Sequence, residues 1–179
     1  MGLTKVRLTG GEPFARLDCL SLIDHLKRAV GVPHLHLTTN GVETHRHIRR
    51  LKQIGLSGLN VSLDTLNRSR FVELTRRDRL DQVLRTVDEA VRCGIHLKIN
   101  SVITESTTDE EIHSLAGLAK DVPLSVRFIE HMPFSGKAAA SVLQEELLST
   151  RINRLFPRLH TVLAQGPSTA RLYSMAGFR

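Results

Sequence analysis

The feature that most constrains this chain is a strand giving way to a helix, repeated five times along its length. Alternating apolar and polar residues mark strands at Lys5–Thr9, His34–Thr38, Leu59–Leu63, Ile95–Ile103 and Leu124–Ile129. Between them run helical stripes: Leu22, Leu26 and Val30; then Ile48, Leu51 and Ile54; then Leu80, Val83, Leu84, Val87 and Val91; then Ile112, Leu115 and Leu118. Asp18 is expected to cap the first helix, Thr108 and Glu111 to form a capping box, and Gly31, Gly55 and Gly94 to end their helices. A short helix is expected over Arg70–Leu74, and another around Ser141–Leu155. Strand then helix every ~30 residues is the pattern of parallel βαβ units with right-handed crossovers.

Parallel strands covered on both faces should read as continuous apolar runs. These do not. Arg7 and Thr9 share one face of the first strand, Asn60, Ser62 and Asp64 one face of the third, and Lys98 and Asn100 one face of the fourth. A curled parallel sheet with a polar inner face accounts for both the alternation and the helices. Turn residues follow the strand C-termini at Gly10-Gly11, Thr39-Asn40-Gly41, Asp64-Thr65, Thr104 and Met132-Pro133. Ligands of parallel α/β folds bind at that end. Arg7 and Lys98 offer cations there, Asn60, Ser62 and Asn100 offer hydrogen bonds, and Gly10-Gly11 offers bare backbone. The carboxylate of Glu12 beside that backbone suits a ligand ammonium, although a Gly-Gly-Glu-Pro turn taken alone fits a plain strand-to-helix connection. The set suits a charged, hydroxyl-bearing ligand such as a nucleotide.

The chain's 179 residues fit one domain, and its net charge of +7 suits an anionic partner, either nucleic acid or a phosphorylated small molecule. The basic runs His45–Arg50 and Arg76–Arg79 read as solvated helix faces, and 4% aromatics supply few stacking platforms for single strands. His34/His36 and His45/His47 read as surface or packing residues. No apolar run reaches membrane-spanning length. Cys19 and Cys93, the two cysteines, have no metal-site spacing and fit a reducing, cytoplasmic setting. No metal ligands are expected within this chain.

The segments KVRLTGGEPF, LTTNG, GLNVSLDT, the Lys98–Asn100 strand and VRFIEHMPF, in this order and spacing, resemble the radical S-adenosylmethionine GTP 3′,8-cyclases of molybdenum cofactor biosynthesis. The match covers Leu3 to Pro133. It implies an α/β fold, a partial TIM-like barrel of five parallel strands with outer helices, over residues 1–156, and a poorly matched tail at 157–179. It also implies conversion of GTP to (8S)-3′,8-cyclo-7,8-dihydroguanosine 5′-triphosphate through a 5′-deoxyadenosyl radical. By the same resemblance Gly10, Gly11 and Glu12 would surround the methionyl amino group of S-adenosylmethionine, Ser62 would bind the same cofactor, and Met132 would lie against its adenosyl part. Arg7, Thr38 and Lys98 would contact GTP, with Thr39 an equal alternative to Thr38 from sequence. The family's [4Fe–4S] cysteine sets have no counterpart here, and the Ser135–Val142 segment is shorter than the family pattern. The resemblance therefore implies an internal piece of the enzyme, without the first barrel strand and the C-terminal region and inactive alone. A non-catalytic nucleotide-binding or scaffold derivative is the alternative. Neither nucleic acid nor membrane is an expected partner. An unpaired edge along Lys5–Thr9 would favour a homo-oligomer.

Overall fold

A computed structural model of the chain describes residues 3–131, 148–162 and 171–177. Its centre is a parallel sheet of β1 (Lys5–Leu8), β2 (His34–Thr39), β3 (Gly58–Ser62), β4 (Leu97–Ile103) and β5 (Leu124–Glu130), hydrogen-bonded in that order. The helices are α1 (Cys19–Arg28), α2 (Ile48–Ile54), α3 (Arg68–Thr75), α4 (Leu80–Arg92), α5 (Asp109–Asp121) and α6 (148–155). Single-turn 3-10 helices at Pro13–Ala15 and Thr44–Arg46 precede α1 and α2. All four strand pairings are parallel, as the strand–helix recurrence requires.

Strand parity sorts the residues into two faces. Leu8, Leu37, Leu59, Leu97 and Leu124 fall in one register row and Thr39, Val61, Ile99 and Val126 in the next. These rows form one core with Cys19 and Ile23 of α1, Ile48, Leu51 and Ile54 of α2, Val83, Val87 and Ala90 of α4, and Leu115 of α5. Leu35, Leu37, Leu59, Val61, Leu97 and Ile99 have no exposed surface. At roughly 25 cal/mol per Å² of apolar area buried, this one-sided layer is the main source of stability. A smaller cluster of Ile103, Ile112 and Phe156 collects Leu148, Ile152 and Leu155 from α6. Arg151 and Arg154 fasten α6 to Asp109 in the first turn of α5, at 2.6 and 2.9 Å. Leu159 and Met175, in the antiparallel hairpin β6 (Leu159–Val162) and β7 (Leu172–Met175), pack against the same cluster.

The capping box at Thr108 and Glu111 is formed, and Gly55 caps α2 in the left-handed conformation at φ +90°. Two local expectations fail. Asp18 occupies the N-cap of α1 without a capping bond, because its carboxylate takes both Nε and Nη2 of Arg16, at 3.0 and 2.8 Å. A charge-assisted two-pronged pair outcompetes a single amide donor. The apolar face of α1 runs through Cys19 and Ile23 rather than out to Val30, which lies beyond the end of the helix and is exposed. The third helix extends the expected Arg70–Leu74 at both ends, since Asn67 accepts from the Arg70 amide at 3.0 Å and starts it early. The fourth strand begins at Leu97, with Ile95 buried just before it. The described part of the expected Ser141–Leu155 helix, residues 148–155, is helical.

Candidate functional site

Among the described residues, the other face of the sheet carries no helix-packing layer. Its rows, read across the strands, are Lys5 beside His34; Arg7, His36 and Gly58; Thr38, Asn60, Lys98 and Ser125; and Ser62, Asn100 and Arg127. Arg7 is exposed and Lys98 half-buried. Burial pushes the Lys98 ammonium below its ordinary value, and the fields of Arg127, Arg7 and Lys5 push it the same way. The sheet thus gathers four cations on one face. Among the described residues, no carboxylate forms a salt bridge with any of them. Lys5 and Arg127 were not singled out by sequence reasoning, yet strand parity held the signal: Lys5 is two residues from Arg7, and Arg127 is in register with Asn100. Oδ1 of Asn100 is buried with no hydrogen-bond partner among the described residues. A buried acceptor without a donor is costly and suits a ligand hydroxyl or amine.

The two threonines at the end of β2 are now distinguished. Thr39 is buried on the helix side, where its hydroxyl donates to Glu12 Oε1 at 2.7 Å and accepts from the Thr44 hydroxyl at 2.8 Å and from the Gly41 amide at 3.0 Å. Thr38 faces the cations, with Asn60 Nδ2 3.5 Å from its hydroxyl. Ser62 is exposed at the end of β3. Beyond it, burial raises the Asp64 carboxyl above its usual range, opposed by the Val102 amide that donates to Oδ1 at 2.8 Å. That bond prolongs the β3–β4 ladder after the main chain has turned away.

Glu12 does more than a ligand carboxylate needs to. Its Oε1 accepts from Thr39 and from the Phe14 amide at 3.2 Å, and its Oε2 accepts from the Asn40 amide at 2.7 Å. The carboxylate clasps the turn after β1 to the turn after β2, and Phe14 stacks on His47 with ring centroids 4.5 Å apart. Sequence reasoning missed this role, which depends on residues 27 and 28 positions away. The glycines divide in the same way. Gly41, at φ +79°, has space for no side chain, since a Cβ would stand 3.0 Å from Val61 Cγ1 and 3.2 Å from Val83 Cγ1. Gly10 needs its freedom for φ +128°. Gly11 needs neither, and a Cβ there would meet nothing within 4 Å. The fold itself sets no demand for glycine at Gly11; a ligand lying against that backbone would. Met132 lies outside the described residues.

Cys19 is enclosed in the core at the start of α1, where burial raises its thiol, and Cys93 closes α4. Among the described residues no group of three or more His, Cys, Asp or Glu could hold a metal ion. A cubane cluster takes three or four thiolates, so these two cysteines do not fit one. Cavities also lie elsewhere. One of about 560 Å³ opens between the loops after β3 and β4, with Arg70 bound to Glu73 and Ser106 and Glu111 bound to Thr65 and Thr108.

A family model, the radical SAM superfamily, matches residues 1–119. The chain belongs to the radical S-adenosylmethionine superfamily. It is 35% identical over 182 residues to human molybdenum cofactor biosynthesis protein 1, covering 99% of this chain and 28% of that protein. It is 38% identical over 180 residues to the GTP 3′,8-cyclase of Alkaliphilus metalliredigens, covering 98% of this chain and 55% of the relative. The chain thus spans about half the length of such relatives, or less. Among solved structures, Streptococcus suis SuiB bound to S-adenosylmethionine superposes with a TM-score of 0.65 at 19% identity, over 84% of this chain and 37% of that one. Methylornithine synthase (PylB) superposes with a TM-score of 0.57 at 21% identity, over 86% of this chain and 48% of that one. These likenesses establish the barrel fold of five parallel strands backed by helices. Radical SAM chemistry uses S-adenosylmethionine with a [4Fe–4S] cluster, and this chain's own cysteines supply no cluster site.

Proposed function

We propose that the polar face binds the triphosphate of GTP and the rim around Gly11 binds S-adenosylmethionine, as parts of a GTP 3′,8-cyclase of molybdenum cofactor biosynthesis. The observation that carries this reading is the set of cations Lys5, Arg7, Lys98 and Arg127, which share one strand face and form no ion pair among the described residues. A polyphosphate is a natural counter-charge for such a set. Similarity to GTP 3′,8-cyclases along the whole chain supports the guanine nucleotide as its source. On this reading Arg7, Thr38 and Lys98 hold GTP. Gly10 and Gly11 present backbone to the methionyl end of S-adenosylmethionine, Ser62 binds its hydroxyls, and Met132 covers its adenosyl part. Glu12 orients those backbone groups through its clasp and faces the methionyl ammonium. When bound, S-adenosylmethionine is the radical source of this chemistry.

Several outer cations are already paired, among them Arg46 with Glu43, Arg50 with Asp24, Arg68 with Asp78 and Arg92 with Glu89. That favours a small anion on the polar face over nucleic acid along the helices. No described helix is long and apolar enough to cross a membrane. A cytoplasmic setting, in keeping with the free thiols Cys19 and Cys93, is part of the reading. So is self-association, because among the described residues β1 pairs on one side only; sedimentation as a monodisperse monomer across the micromolar range would remove that part.

Equilibrium dialysis of labelled GTP against the chain tests the reading. The expected result is saturable binding that inorganic tripolyphosphate displaces. A folded chain that retains no GTP, or GTP that tripolyphosphate leaves in place, would overturn it.

A further inference from the structure

His36 reads from sequence as a surface or packing histidine, yet the structure seats it among the cations. It lies between Arg7 and Gly58 in one register row of the polar face. Its ring leans over Gly58, where a Cβ would stand 2.7 Å from Nδ1 and 3.1 Å from Cε1; only glycine leaves this seat free. The ring is half-buried, and no hydrogen bond to it is formed by the described residues. Among the described residues, the charged and titratable groups facing it are Lys5 and Arg7 on β1, His34 on β2 and His96 just ahead of β4, with Lys98 on the same face. None is a carboxylate.

We propose that His36 is a further anion-binding residue of this face, which takes up a proton from solvent as a polyphosphate settles beside Lys5 and Arg7 and then donates to a phosphate oxygen. The inference rests on the polyphosphate reading above and assigns a residue to it. In the free protein, burial first and then Lys5, Arg7, His34 and His96 hold the imidazole down to about 4, so it is neutral at pH 7. A polyanion reverses the sign of the field at the ring, and the imidazolium becomes the favoured form. Linkage then fixes the direction. The bound state holds more protons than the free state between the two values, so affinity rises as pH falls through the bound-state value.

The experiment is calorimetric titration of the full chain with inorganic tripolyphosphate, beside His36→Gln, at about pH 6.5 in two buffers of different ionisation enthalpy. Protonation of the probe itself is common to both proteins and cancels. The wild-type chain should take up a larger fraction of a proton than His36→Gln. Between about pH 7.5 and 5.5 its affinity should gain about tenfold more, if the bound imidazole returns to an ordinary value near 6.5. In the wild-type chain itself, the proton-resonance titration of His36 should move upward on adding tripolyphosphate, which keeps the test independent of how the variant folds. Equal proton uptake by the two proteins, or an unmoved His36 titration with tripolyphosphate bound, would overturn the inference and leave the polyphosphate reading standing. Absence of tripolyphosphate binding to the folded wild-type chain would overturn both.

Discussion

The two faces of one five-stranded sheet differ in almost everything but their backbone. Leu37, Leu59, Leu97 and Ile99 on the helix side are fully buried in a continuous apolar layer. One residue along each strand, Thr38, Asn60, Lys98 and Asn100 point the other way, among cations that pair with no carboxylate, and an acceptor that meets no donor, among the described residues. The helix side supplies the stability of the fold. The polar side holds groups that no described residue satisfies, as expected of a surface that a ligand completes. Buried and unpaired polar groups are costly, so such a face subtracts from stability unless a ligand repays it.

The comparison breaks most easily in the core. Leu59→Ala removes a fully buried side chain from the centre of the apolar layer and should cost about 2–5 kcal/mol in urea unfolding. Arg127→Ala, across the sheet, should change stability within about 0.5 kcal/mol in the same assay. A comparable loss from both would mean that the polar face also carries the fold. The glycines sharpen the contrast on a smaller scale. Gly41→Ala meets Val61 and Val83 at φ +79° and should destabilise by about 1–3 kcal/mol. Gly11→Ala meets open space and should leave the melting temperature nearly unchanged while weakening S-adenosylmethionine binding. An unaltered affinity would remove Gly11 from the cofactor rim.

Most of the fold was legible because parity and helical period are local signals. The five strands, the α2, α4 and α5 stripes and the Thr108–Glu111 box all follow from residues within a few positions of one another. Parity also held more than was drawn from it. Thr39 shares the face of Leu35 and Leu37, so its burial, and the choice of Thr38 for the polar face, were already present in the alternation. Parity likewise puts Lys5 with Arg7. What was not legible depends on contacts across the sequence. Glu12 reads from sequence as a ligand's partner, and its bonds to Thr39 and Asn40 add a structural role that the sequence did not show. Asp18 reads as a cap until Arg16 folds back on it. The crowding of Lys98 by Arg127, Arg7 and Lys5 is a property of neighbouring strands and emerges only when they are set side by side.

The central claim is that the inner cations form a ligand site, while the outer ones act as a solvated surface. Lys98 and Arg49 provide the direct comparison, since one faces Arg7 and Arg127 and the other lies exposed on α2. Calorimetric titration of GTP into Lys98→Ala and Arg49→Ala at one fixed salt concentration reads the difference. Lys98→Ala should weaken binding by about 1.5–3 kcal/mol, the range for a hydrogen bond to a charged group, and Arg49→Ala should leave it close to wild type. Equal losses from the two substitutions would show that the positive charge acts as a diffuse surface field, and the polar face would not be the binding site.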